Sequence, residues 1–488
     1  MLGRAGVAVL AALTVCACAV GPNYVRPKPP ALDHYAYGGD PVTTDEAQGV
    51  AQHFSRAVRL EGDWWHLFDS AKIDAIVAQA LADNPGLEAA QASLRQSQDT
   101  LRSGYGIFFP QAEADASATR QRYSLVKLGE VAPSTLFNLF TLSASVSFAL
   151  DVFGGERRMI EGLKSQVDLE RAQRQATYLT LVSNIVNTMV AKAAYQAEID
   201  ATRRLIDLQS EQVKLAKIQV QAGTVPYSNV LSLESQLASY QATIPQLEQK
   251  LSQADDLLAT LVGRAPAEWH APDISLEELT LPREIPVELP SDLVSQRPDV
   301  LVAEATAHAA SANVGVATAA LLPSIALSGN YSANGLTTGT LLSSNGRAWN
   351  VGADLSQPLF QGGTLWYKRK AAVDNYKAAA ALYRQTVLGA FAQVSDTLRA
   401  LEHDAAALKA EELALSTAKD ALTLVQTNYT AGLDTYLDVL NADAQYHQAQ
   451  INDLQSIAVR YQDTVALYVA LGGGWWNGKT KAGANGSP

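Results

Sequence analysis

The strongest constraint on this chain is that it is written twice. Asn84-Pro85 is followed 25 residues later by Pro110, and Arg297-Pro298 is followed 25 residues later by Pro323, so these copies lie 213 positions apart. Phe153-Gly154-Gly155 answers Phe360-Gln361-Gly362-Gly363 about 207 positions on, while Ala222-Gly223 answers Ala431-Gly432, and Val262-Gly263 answers Leu471-Gly472, both at 209. Four landmarks in one order mark a duplication, and a duplicated chain must fold from two related units.

Each unit has the same grammar. Asn84 is a ready N-cap, with Pro85 at the first helical position, where its missing N–H costs nothing. That helical pattern runs to Phe108 and stops at Pro110. Two alternating runs follow, then a Gly-Gly break, then a helical pattern over residues 156–222, which at 1.5 Å per residue is roughly 100 Å long. Such a length points to a helical barrel or coiled coil. Gly223 suits a left-handed C-cap, and Pro226 can open the next helix. Val230, Leu233, Leu237, Tyr240, Ile244, Leu247, Leu251, Ala254, Leu258 and Leu261 then alternate at spacings of three and four, as heptad core positions do. Pro245 inside that pattern is expected to kink or interrupt the helix. In the second half Leu437, Leu440, Ala444, His447, Ile451, Leu454, Ala458, Tyr461, Val465 and Tyr468 repeat the spacing with smaller, more polar members.

The alternating runs read as two β-hairpins. Leu142, Ala144, Val146, Phe148 and Leu150 alternate with Ser and Thr, and Ala112, Ala114, Ala116 and Ala118 do so more weakly. Ile325, Leu327 and Tyr331 form a third set, and Trp349, Val351, Ala353 and Leu355 a fourth. A half-buried soluble sheet gives the same alternation. Strands of about ten residues with a small polar face also fit a bilayer, where four strands are too few for a barrel but three copies supply twelve.

The N-terminus bears on that choice. Arg4 and the apolar run from Val7 to Val15 form an export signal over residues 1–17, too short to span a bilayer. Its end, Val15-Cys16-Ala17-Cys18, resembles the lipobox at which bacterial lipoproteins are cleaved and lipidated, making Cys18 the lipidated first residue. Ala19 in place of Asp then favours the outer membrane. Cleavage removes Arg4 and takes the formal charge from −12 to −13. No further cysteine is present, so the exported body has no disulfide framework. No later run of 18 apolar residues exists, which leaves strands as the means of crossing a membrane.

The acidic balance and the lack of Lys/Arg runs argue against nucleic acid as a partner. The seven histidines (34, 53, 66, 270, 308, 403 and 447) show no zinc-type spacing, and neither a nucleophile elbow nor a P-loop appears. His308 and His447 fall on helical faces, as packing histidines do. No catalytic site, metal or cofactor is expected.

Taken in order, several motifs resemble the lipoprotein branch of the TolC-type outer membrane efflux proteins. They are Cys18-Ala19-Val20-Gly21-Pro22-Asn23-Tyr24-Val25-Arg26-Pro27, Trp64-Trp65-His66-Leu67-Phe68-Asp69, Arg297-Pro298-Asp299-Val300 with Ala303-Glu304, Leu359-Phe360-Gln361-Gly362-Gly363, and Leu471-Gly472-Gly473-Gly474-Trp475. The resemblance implies a mainly α fold with a small β part: a homotrimer with a 12-stranded outer membrane barrel continued by a periplasmic α-helical barrel. It divides the chain into a signal (1–17), a lipidated equatorial segment (18–83), a first repeat (84–263), an equatorial connector (264–296), a second repeat (297–472) and a flexible tail (473–488). It further implies a passive exit duct of a tripartite pump, without enzymatic activity, working with a periplasmic adaptor and an inner-membrane transporter of the resistance-nodulation-division type. A duct for type I protein secretion shares the fold, and a structural periplasmic coiled-coil lipoprotein is the other alternative.

The resemblance also locates a periplasmic gate at the helix start after the second tip turn. The apolar constriction maps onto Leu437, the acidic ring onto Asp438, and a second ring position onto Asn441, where many relatives carry Asp. One dependable acidic ring remains, and like charges repel by only about 1 kcal/mol in water, so apolar packing must hold the aperture shut. Replacing Asp438 with Ala is expected to raise conductance. The hairpin tips, at Gly223, Thr224, Gly432 and Leu433, are the expected adaptor contacts.

Overall fold

The computed structural model describes residues 19–124, 129 and 133–477; the signal segment, Cys18, part of the loop after residue 124 and the tail beyond Asn477 lie outside the described residues. After a short strand β1 (His53–Ser55), helices α1 (Ala71–Asp83) and α2 (Pro85–Gly104) lead to strands β2 (Gln111–Tyr123) and β3 (Thr135–Leu150), then to α3 (Gly155–Gln221) and α4 (Tyr227–Val262). Beyond β4 (Glu284–Pro286) the order returns as α5 (Pro290–Gln296), α6 (Pro298–Ala319), β5 (Ser324–Gly335), β6 (Arg347–Ser356), α7 (Thr364–Thr430) and α8 (Tyr436–Ala470). Helices α3 and α7 are each 67 residues long. No helix among the described residues is long and apolar enough to cross a membrane.

Helix ends follow the glycines. Gly223, Gly263, Gly432 and Gly472 all take positive φ, and each closes a Schellman motif in which the next residue donates to a carbonyl five positions back, as Leu433 does to Asn428 and Thr224 to Gln219. At the other end of a helix, Asn84 Oδ1 accepts from Leu87 N at 2.9 Å. Helix α4 runs unbroken through Pro245, against the expectation of an interruption. The ring frees only the carbonyl of Gln241, and Gln241 and Pro245 both lie on the exposed face, where water can take that bond.

The chain forms two compact units. One comprises residues 93–170, 302–384 and the described part of 1–27, and it holds the four-stranded antiparallel sheet in the order β2-β3-β5-β6. The hairpins of the two halves therefore meet through β3 and β5.

The other unit comprises residues 28–92, 171–301 and 385–477 of the described chain. Its core is helical: Val182, Ile185, Val186, Met189, Val190 and Ala193 of α3 are fully buried at helical spacing. Trp64 and Phe68 are buried too, with the Trp64 ring 5.4 Å from that of Tyr468 and the Phe68 ring 6.0 Å from that of Tyr461. Gly263 combines φ 82° with a site where a Cβ would stand 2.5 Å from the Asp83 carbonyl oxygen. Gly263→Ala should therefore destabilise by about 2 kcal/mol, read as a lowered thermal midpoint; an unchanged midpoint would mean the cap relaxes freely.

Candidate functional site

The corner at residues 431–443 lies in the helical unit. Tyr436 and Leu440 pack against the buried cluster of Val213, Ala216, Val230 and Leu233, and Tyr436 Oη donates to Gln212 Oε1 at 3.1 Å. The second tip is thus fastened by its inner face to the first hairpin. The other face holds what the sequence singled out: Leu437 (62% exposed), Asp438 and Asn441 all point away from the cluster. Gly432, Leu433, Gly223 and Thr224 are exposed at the turns.

Asp438 has a second task. Its carboxylate accepts from Thr435 N at 2.9 Å and from Thr435 Oγ1 at 2.5 Å, so it caps the helix it belongs to, and these hydrogen bonds hold its carboxyl below the usual range.

One group near the corner is absent from the sequence reading of the gate. Asp443 is buried, and burial pushes its carboxyl up to about 6. One turn on, the His447 ring stands 5.1 Å from Tyr240 of α4, and burial lowers its pKa. A folded-state carboxyl pKa above the unfolded value gives stability that is complete below about pH 4 and is lost as pH rises through 6. Asp443→Asn should remove that loss and stabilise by about 2–3 kcal/mol at pH 7.5 but far less at pH 4.5. Thermal melts at the two pH values check this; an equal gain at both would rule out the buried charge as its origin.

In the other unit the sheet register sorts side chains onto two faces. Ala114, Ala144, Tyr331 and Trp349 form one cross-strand row, and Ala112, Val146, Gly329 and Val351 the next. Leu150, Ile325 and Leu355 continue the same face. On the reverse, Glu113, Ser145, Asn330 and Asn350 align, as do Asp115, Ser143, Ser332 and Ala348. The apolar face is bare: Trp349, Val351 and Leu355 are each more than two thirds exposed. Edge strands β2 and β6 are exposed along their whole length.

The start of the described chain is strapped to the same unit. Val20 N donates to Phe153 O at 2.9 Å, just past the end of β3, and Arg158 donates to Val20 O at 3.2 Å and to Asn23 Oδ1 at 2.6 Å. The Tyr24 ring stacks on His308 at 4.3 Å, His308 Nε2 meets Glu161 Oε1 at 2.9 Å, and Arg26 pairs with Glu304 at 2.7 Å. Sequence reasoning places His308 as a packing histidine, and it packs between Tyr24 of this strap and Glu161 of α3. No group of three His, Cys, Asp or Glu side chains among the described residues could hold a metal ion.

A family model described as outer membrane efflux protein matches residues 76–264 and 289–473. The chain is 29% identical over 418 residues to the pyoverdine export outer membrane protein OpmQ of Pseudomonas aeruginosa, covering 84% of this chain and 87% of that one. It is 27% identical over 472 residues to nodulation protein T of Rhizobium leguminosarum bv. viciae, covering 95% and 92%, and 25% identical over 468 residues to the cation efflux system protein CusC of Escherichia coli, covering 95% and 97%. Among solved structures, the outer-membrane channel OprN aligns with a TM-score of 0.85 at 27% identity over 94% of this chain and 100% of that one. The Campylobacter jejuni CmeC outer membrane channel shares the fold, with a TM-score of 0.84 at 20% identity over 94% of this chain and 95% of that one.

Proposed function

Because the chain belongs to the outer membrane efflux protein family, we propose that it is the passive exit duct of a tripartite pump, built as a homotrimer and gated at residues 437, 438 and 441. The observation that carries the reading is the two-faced sheet with two bare edges. A membrane-embedded sheet must leave no backbone group unpaired in lipid, so β6 of one copy pairs with β2 of the next. Three copies close a barrel of twelve strands with the apolar face outward and the Ser/Asn/Asp face lining the lumen.

Lipidation at Cys18 fits this arrangement. Val20 is bonded beside the end of β3, which puts the start of the described chain at the end of the sheet from which α3 leaves. The segment boundaries at 18–83, 84–263, 264–296, 297–472 and 473–488 belong to the same reading. The tips at Gly223, Thr224, Gly432 and Leu433 offer the surface for a periplasmic adaptor, which links the duct to an inner-membrane transporter of the resistance-nodulation-division type. Docking there untwists α7 and α8 and carries Leu437 and Asp438 off the axis. The names of the relatives, pyoverdine export and cation efflux, differ in cargo, as expected of a duct that selects little.

The test is a planar-bilayer recording of the purified protein, with native mass spectrometry of its oligomer. Trimers that give small, rarely open channels support the reading. A monomer that never conducts sinks it and leaves a structural coiled-coil lipoprotein in its place.

A further inference from the structure

The four long strands carry six charged residues, and their register separates these by sign. Glu113, Asp115 and Asp354 all lie on the polar face, aligned with Ser145, Ser143 and Ala326. Arg120, Arg122 and Arg347 all lie on the apolar face. All three lie toward the loop ends of their strands: Arg347 opens β6 and shares a row with Ala333, Leu142 and Ala116, while Arg120 and Arg122 stand further along β2, opposite Asn138 and Leu136. The remaining positions on this face, from Ala112 to Ala118, Phe140 to Leu150, Ile325 to Gly335 and Trp349 to Leu355 in steps of two, carry no charge.

We propose that these three arginines bind the phosphate of an anionic membrane lipid at the loop end of the barrel, a site that rests on the sheet being the lipid-facing wall proposed above. A cation on that wall is costly at the bilayer midplane and nearly free of cost near its surface. Three cations on one wall are therefore tolerable only at the headgroup level, and there they repel one another until an anion joins them. The guanidinium fork matches a phosphate with two parallel hydrogen bonds. All three side chains are exposed, and none makes an ion pair among the described residues. Arg122 Nε is held by Ser134 Oγ at 2.5 Å and Arg347 Nη2 by the Leu342 carbonyl at 3.2 Å. These single bonds orient the forks and leave other N–H groups of each to donate. On barrel closure edge β6 of one copy meets edge β2 of its neighbour. Arg347 from one copy and Arg120 with Arg122 from the next then flank the same seam, giving three phosphate sites per trimer.

The test is native mass spectrometry of the purified trimer titrated with lipid A carrying two phosphates or none, beside planar-bilayer recordings in phosphatidylcholine. The wild type should bind the phosphorylated form about tenfold more tightly, and R120Q/R122Q/R347Q should bind both forms alike. Replacing the three by Lys, which keeps charge but loses the fork, should cost about threefold and serves if the Gln variant fails to assemble. Millimolar inorganic phosphate should leave the lipid bound; full displacement would assign the cluster to free phosphate and overturn the lipid site. Conduction by all variants with unchanged lipid A affinity overturns the site alone. A wild type that never inserts overturns the duct and this site together.

Discussion

Arg460→Ala is expected to be the most destabilising single change in the helical unit, by about 3–5 kcal/mol. Arg460 lies on α8 and is only 2% exposed. Its guanidinium donates to Val50 O at 2.9 Å, Ala47 O at 3.2 Å, Thr44 Oγ1 at 3.3 Å and Gln52 Oε1 at 3.3 Å. It is the hub that ties the turn of residues 44–52 to the last helix. Gln52 extends the tie, donating to Pro282 O and to Thr464 Oγ1, both at 3.2 Å. Alanine would leave Gln52 Oε1 buried without a donor, strip the Ala47 and Val50 carbonyls and Thr44 Oγ1 of their second partner, and open a void the size of the side chain. The loss also removes the positive charge facing Glu412 and Asp404, and the Asp404 carboxyl is already pushed up to about 7 by burial and by Asp463. Arg460→Lys keeps the charge but cannot reach four acceptors at once, so it should recover less than half of the loss. The measurement is the urea or thermal midpoint of the detergent-solubilised protein, compared at one scan rate because such unfolding is often irreversible. A drop under 1 kcal/mol would show that the turn is held by other contacts.

What could be read in advance, and what could not, divides by the range of the cause. Gly223, Gly263, Gly432 and Gly472 mark helix ends in the sequence because the Schellman geometry is local, and each lies where its turn requires a positive φ. The alternation of β2, β3, β5 and β6 was equally plain, since its period of two sorts both faces without knowledge of a partner. Pro245 is expected to kink or interrupt its helix, and the interruption does not occur: a helix of 36 residues loses one bond on its wet side and continues. The heptad stripe misjudged the start of α8 by about one residue. It put Leu437 in the seam, whereas Tyr436, Val439, Ala442 and Asp443 turn inward and Leu437 stays outside. Asp443 gives no signal in the sequence, because nothing local shows that its face meets the first hairpin. Arg460 was missed for the same reason: its acceptors are some 410 positions away in sequence. For Leu437 the misfit is itself informative, since an apolar side chain left out of its own protomer's core needs another place to go.

In the closed trimer proposed above that place is the axis, where the effects of Leu437 and Asp438 separate. Three copies of a leucine 62% exposed in the protomer can bury one another at a constriction; truncation to Ala should cost the closed state about 2 kcal/mol in all, which is roughly a thirtyfold rise in open probability. Asp438 acts in two opposite ways. As the proposed ring of like charges it opposes closure only weakly, because water screens the repulsion. As the acceptor for Thr435 N and Oγ1 it holds the first turn of α8 and so keeps Leu437 in place. Asp438→Ala loses both and should open the channel through the frayed turn, by a few-fold. Asp438→Asn keeps an acceptor for Thr435 and removes only the charge, so it should leave open probability unchanged or lower it, while weakening the preference for cations. In the proposed gate Asn441 takes the neighbouring ring position without a charge, which assigns the closing to the leucine and the cap. Single-channel recordings of the three variants distinguish these roles: a larger opening for Asp438→Asn than for Leu437→Ala would make the acidic ring the closing element and overturn the apolar constriction.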